Sequence, residues 1–190
     1  MDSVLFEKYD YFLIGPNRVF DKTAPVKPDL LEPYQEDLIN YFMFKSFNCD
    51  VFKPDDHLVK KLNEGLLIGG YDLTHAMLSI HWLEQFNCMN ENEPTGREIK
   101  YLKQKFWSVL LKMAKAEKNA DLRYESIAIA LHMKKGSVTV KNINRILREQ
   151  ETGGCWYNHE LIDASSEHTT ILALWALFEW RYPNRFAKWR

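Results

Sequence analysis

The side chains best suited to chemistry fall in three short pairs, Thr74-His75, Arg123-Tyr124 and His168-Thr169. Histidine titrates near neutrality, so His75 and His168, with Tyr124 as a hydroxyl partner, form a candidate catalytic acid–base set. Asp72, Thr74, Arg123, Thr169 and Trp156 are the candidate ligand-binding neighbours. The plainer reading is structural: Asp72, Thr74, Ser165 and Ser166 are good helix caps, and a histidine near a helix start can satisfy free backbone groups. His81 and His132 read as packed or surface residues.

A second constellation, Cys155, His159, Asp163 and His168, lies within fourteen residues of sequence. All four are metal-ligand types, but Cys-x3-His is not a standard zinc spacing, so no metal or other cofactor is assigned; ligand type would favour Zn²⁺. Cys155 also has the surroundings of a thiol nucleophile, set against a simpler role as a cysteine packed in a turn. No G-x-S-x-G elbow, P-loop or G-x-G-x-x-G occurs.

The elements that must position these groups are helical. In 97–117 the apolar residues Ile99, Leu102, Phe106, Val109, Leu110 and Met113 recur at intervals of three and four, and five lysines occupy the rest, as on an outer helix. Further helices are expected at 34–46, 55–66, 71–87, 120–133, 139–150 and 167–181. Gly69-Gly70, Pro94-Thr95-Gly96, Gly136-Ser137 and Gly153-Gly154 punctuate them. No strand of clear alternation is found. A short N-terminal helix and an extended connector with four of the seven prolines fill 1–33.

Three apolar helices align without gaps on Leu78-Ser79-Ile80, Ile127-Ala128-Ile129 and Leu172-Ala173-Leu174, with spacings of 49 and 45 residues. One Lys-rich amphipathic helix lies between successive copies, so each unit is an outer helix followed by an inner one, a spacing typical of stacked helical pairs. The small central residue of each triplet suits close helix approach. In this register the three polar pairs are equivalent and stand together at one rim, where helix N-termini suit an anionic or polar ligand.

In "INRILREQETGGCW" the spacing of Ile146, Gln150, Gly154 and Trp156 resembles the QW motif of the (α/α) toroids of squalene and oxidosqualene cyclases, with Arg145 in place of the usual aromatic residue. His168-Thr169 is similar to the His-Thr pair that opens an inner helix in protein prenyltransferase β subunits, where the histidine ligates zinc. The Asp-x-Cys unit of that site and the Asp-rich motif of the cyclases are absent, so the resemblance implies fold and not activity. It covers residues 55–181, about three and a half helix pairs, and implies an open or partial toroid-like array, a smaller closed array, or closure as a homodimer.

Composition bounds the function. Hydrophobic residues make up 46% and aromatic residues 14% of 190, which gives a packed single domain, 1–190, with hairpin repeats over 34–181. Lys plus Arg (25) nearly cancels Asp plus Glu (26), so the field needed for nucleic-acid binding is missing. The tail 182–190 is basic and aromatic, read as docked on the body. Cys49, Cys88 and Cys155 are odd in number and far apart, which suggests no disulfide framework and a reducing compartment. With no basic leader and no apolar run of ~20 residues, the expectation is a cytoplasmic protein without a membrane span. The expected whole is an all-α stack of helical hairpins whose concave inner surface binds a small molecule or a protein. The alternative is a hydrolase or transferase with its site at the histidine rim.

Overall fold

A computed structural model of the chain describes residues 37–158 and 166–182. The N-terminal helix and connector expected over 1–33, the tail beyond Tyr182, and His159 and Asp163 lie outside the described residues. Seven helices and no strand occur among them. They are α1 (Leu38–Phe47), α2 (Asp56–Ile68), α3 (Gly70–Gln85), α4 (Pro94–Ala116), α5 (Ala120–Met133), α6 (Val140–Arg148) and α7 (Ser166–Arg181).

Each start has a chemical cause. Asp37 and Asp55 cap α1 and α2 by accepting from Asn40 N (3.1 Å) and Leu58 N (2.8 Å), and Asn119 caps α5 by accepting from Leu122 N at 3.1 Å. Thr139 and Asn142 form a capping box on α6. Between α2 and α3 the chain turns through Gly69 (φ 79°) and Gly70 (φ 57°), a left-handed pair that disfavours any side chain. Pro94-Thr95-Gly96, expected as a break, is instead the first turn of α4. Proline is compatible with N1 because its missing N–H has no helical partner there. Gly96 presses so closely on the preceding turn that a Cβ would stand 2.0 Å from Asn90 O.

The helices divide by burial. On α4, Ile99, Leu102, Phe106, Leu110 and Ala114 are buried and Lys100, Lys105, Lys112 and Lys115 are exposed, the amphipathic pattern of an outer helix. On α3 every residue from Ala76 to Leu83 is buried, and on α5 every residue from Arg123 to Leu131. Neighbours run α3–α5–α7 on the inside, with α1, α2 and α4 against α3, α4 also against α5, and α6 against α7. The small residues at the triplet centres are fully buried: Ser79 hydrogen-bonds Ser46 of α1, and Ala128 and Ala173 have no exposed surface.

Cys49, just past α1, and Cys88, just past α3, form a disulfide with Cα atoms 5.9 Å apart. This overturns the expectation drawn from their number and spacing. Packing of α1 along α3 brings the two C-terminal ends together, a tertiary fact that a separation of 39 residues does not reveal. The argument for a reducing compartment falls with it, since disulfides persist where conditions oxidise. Cys155 is a free thiol. Among the described residues no helix is long and apolar enough to cross a membrane.

Candidate functional site

The three inner helices meet at both ends. Tyr71 of α3, Asp121 of α5 and His168 of α7 are joined at the N-terminal turns, and His81, His132 and Glu179 of the same helices meet near the C-terminal ends. The helices therefore run parallel, and their N-terminal turns share one rim.

Asp121 is the hub of that rim. Its carboxylate accepts from Tyr71 Oη, from Thr169 Oγ1 at 2.8 Å and from His168 Nδ1 at 2.9 Å, so it joins α3 and α7 through α5. Burial pushes the Asp121 carboxyl up, but bonds donated by His168, Tyr71 and Thr169 outweigh it and hold the group below its ordinary value. The same bond raises the His168 imidazole above its ordinary value, against the opposing effect of burial. Because a carboxylate only accepts, the proton lies on Nδ1, and Nε2 carries the lone pair of the neutral ring. The Asp121 side chain is 4% exposed and that of His168 55%, so a buried anion orients an open imidazole.

His75 is held in the same sense from α3. Its Nδ1 lies 2.9 Å from the Tyr71 carbonyl, an obligate acceptor, which again leaves Nε2 as the unprotonated nitrogen of the neutral ring. Glu125, one turn after Asp121, lies beneath it: Thr74 Oγ1 is 2.9 Å from Oε2, and His75 Nδ1 is 3.7 Å from Oε1. Tyr71 stands between the two histidines, its ring centroid 6.5 Å from that of His168 and its carbonyl on His75.

The loop after α6 fixes the third helix against the rim. Gln150 Nε2 donates to Gly154 O (2.9 Å), Gly154 adopts φ 86°, and the buried Trp156 donates its indole N–H to Ile146 O (2.7 Å). The backbone N–H of Trp156 donates to Thr170 Oγ1 (3.0 Å), and Asn158 Nδ2 donates to the α5 cap Asn119 (3.0 Å). A turn thus stitches the first turn of α7 to the start of α5.

The structure brings together Thr74, His75, His168 and Thr169 of the expected residues, with Asp72 in the same first turn as His75 and close enough to act on it electrostatically, but not Arg123, Tyr124 or Trp156. Arg123 and Tyr124 point to Glu149 at the end of α6, at 2.5 and 2.6 Å, and Arg123 also donates to the carbonyls of Glu117 and Lys118. Burial pushes the Tyr124 hydroxyl up, and its bond to Glu149 adds to that, so it is a fixed donor. Asp72 takes no side-chain hydrogen bond among the described residues, and Trp156 is a core residue. Of the metal candidates within the described residues, Cys155 is half-buried in the turn and His168 is bound to Asp121. No group of three or more His, Cys, Asp or Glu among the described residues is arranged to hold a metal ion.

Tyr71, Asp121 and Glu125 were missed. The usable signal was two acids four residues apart, in "ADLRYESIAIAL", leading directly into the apolar run 127–131, because buried acids need partners. No family model, curated protein or solved structure matches the chain, so the site is read from its own geometry.

Proposed function

We propose that the protein acts through the rim at the N-terminal turns of α3, α5 and α7, as an enzyme of hydrolase or transferase type. It uses His168 and His75 for acid–base chemistry on a polar small molecule. The observation that carries this reading is the His168–Asp121 pair: a buried carboxylate on one nitrogen, and the other nitrogen on a half-exposed ring. Asp121 stands in the first turn of α5, where it already offsets the positive end of that helix dipole. A polar, uncharged group therefore suits the rim better than an anion.

The rim is favoured over a concave binding surface because α3 and α5 are buried around their circumference from Ala76 and Arg123 onward. The parallel inner order α3–α5–α7, with α2 and α4 outside, supports reading the stack as part of an (α/α) arrangement.

The test is a panel of chromogenic esters, amides, phosphoesters and glycosides, assayed with wild type, H168A and D121N. Turnover of one class is expected, reduced roughly a hundredfold or more in H168A, the usual worth of an acid–base group. A panel on which wild type does no better than H168A would contradict the reading.

A further inference from the structure

Asp121 and Glu125 are both buried on α5, one turn apart, yet they are bonded in different ways. Asp121 takes hydrogen bonds from three side chains. Glu125, with 5% of its side chain exposed, shares one, with Thr74 Oγ1 at 2.9 Å. Its Oε1 is 3.7 Å from His75 Nδ1, beyond hydrogen-bond reach, and that Nδ1 proton already serves the Tyr71 carbonyl at 2.9 Å. A buried carboxylate with a single donor would leave most of its acceptor sites unsatisfied.

Proton counting at Thr74 points the same way. Its oxygen lies 2.9 Å from Tyr71 O and 2.9 Å from Glu125 Oε2, and a hydroxyl has one proton. With Thr74 Oγ1 also 3.4 Å from His75 Nδ1, a single Thr74 proton given to the carbonyl, which can only accept, leaves the short contact to Glu125 to be closed by a proton on the carboxyl.

We propose that Glu125 is a neutral carboxylic acid in the folded protein near neutral pH, donating to Thr74, and that it thereby divides the rim into a His168 paired with a buried anion and a His75 that faces a buried neutral acid, with Asp72 of its own helix as the remaining acidic neighbour. This rests on the acid–base reading of the rim and deepens it. Asp121⁻ stabilises a protonated His168, which suits it to give a proton, whereas His75, beside a neutral acid and with its Nδ1 on the Tyr71 carbonyl, presents the Nε2 lone pair. Glu125 reaches no ligand itself; it is a positioning residue that acts through Thr74 and His75. Its burial, which pushes the carboxyl above the ordinary value, agrees with this assignment, and Asp121 moves the other way. Two acids pushed apart by their surroundings are the pattern by which one site holds both an acid and a base.

Carbon-13 NMR of the glutamate side-chain carboxyls, followed through a pH titration of the full chain, tests this in wild type alone, with E125Q for assignment. One glutamate carboxyl is expected to be protonated near neutral pH, its signal absent from E125Q, with nitrogen-15 shifts placing the His75 proton on Nδ1. E125Q, which keeps an oxygen acceptor and a donor, is expected to melt no lower than wild type near neutral pH. Every glutamate ionised there, a doubly protonated His75 against an ionised Glu125, or an E125Q that melts well below wild type would each overturn the proposal. Loss of turnover in H168A bears on the rim reading and leaves the Glu125 signal in place, so the two can fail separately.

Discussion

At the scale of residues, Asp121 carries the largest share of the account, since three side chains from two other helices end on it. Asp121→Ala removes the acceptor and leaves the hydroxyls of Tyr71 and Thr169 unpaired. The expected cost is about 2–3 kcal/mol, read as a lower urea midpoint. The pH dependence follows from opposite shifts. Asp121 titrates below its ordinary value of about 3.9 when folded, so its contribution is present above that value and is lost as pH falls through the folded pKa. His168 titrates above its ordinary value of about 6.5, so its contribution is full below that value and is lost as pH rises through the folded pKa. The pair therefore stabilises most between the two ordinary values. D121N is expected to weaken both the acid and the alkaline limb in urea midpoints measured across pH.

At the scale of elements, the disulfide and the loop after α6 are the two connections whose removal is most informative. Cys49–Cys88 closes a loop of 39 residues' separation. In the chain-entropy account such a closure stabilises by about 4 kcal/mol, so C49S or reduction should lower the denaturant midpoint by that order. Asn119 caps α5 and also receives Asn158, so Asn119→Ala should cost about 1–2 kcal/mol in the same measurement. Much of this level was legible in sequence. The three-and-four spacing of α4 and the glycine turns are local, and local signals survive tertiary context, whereas Asp72 and Thr74, expected as caps, lie inside α3, which starts at the Gly69-Gly70 turn instead. Pro94 misled because proline both ends helices and starts them, and only the packing of Gly96 on Asn90 decides which. The disulfide was illegible because it depends on how α1 lies along α3.

At the scale of the whole molecule, alignment of the inner helices located the rim, but it chose the wrong side chains on α5. Register equivalence assigned Arg123 and Tyr124 to the place where Thr74 and His168 stand. Contact between parallel neighbours depends instead on angle around the helix axis, and on α5 that direction belongs to Asp121 and Glu125. The meeting of the three N-terminal turns agrees with the alignment, whereas which side chains face one another there depends on the orientation of each helix. Burial also fixes which positions tolerate no growth. Ala128→Leu and Ala173→Leu insert bulk at positions with no exposed surface and are expected to cost about 1–3 kcal/mol each, or to broaden the thermal transition seen by circular dichroism.

The central claim is that a buried carboxylate holds His168 ready for acid–base work at the rim. Its most direct test is the NMR titration of the His168 ring in wild type and in D121N. The account predicts a wild-type titration above that of a free histidine, moving down in D121N, because Asp121 is the principal cause of the shift. A His168 that titrates like a free histidine in wild type, or one that is unmoved by D121N, would contradict it.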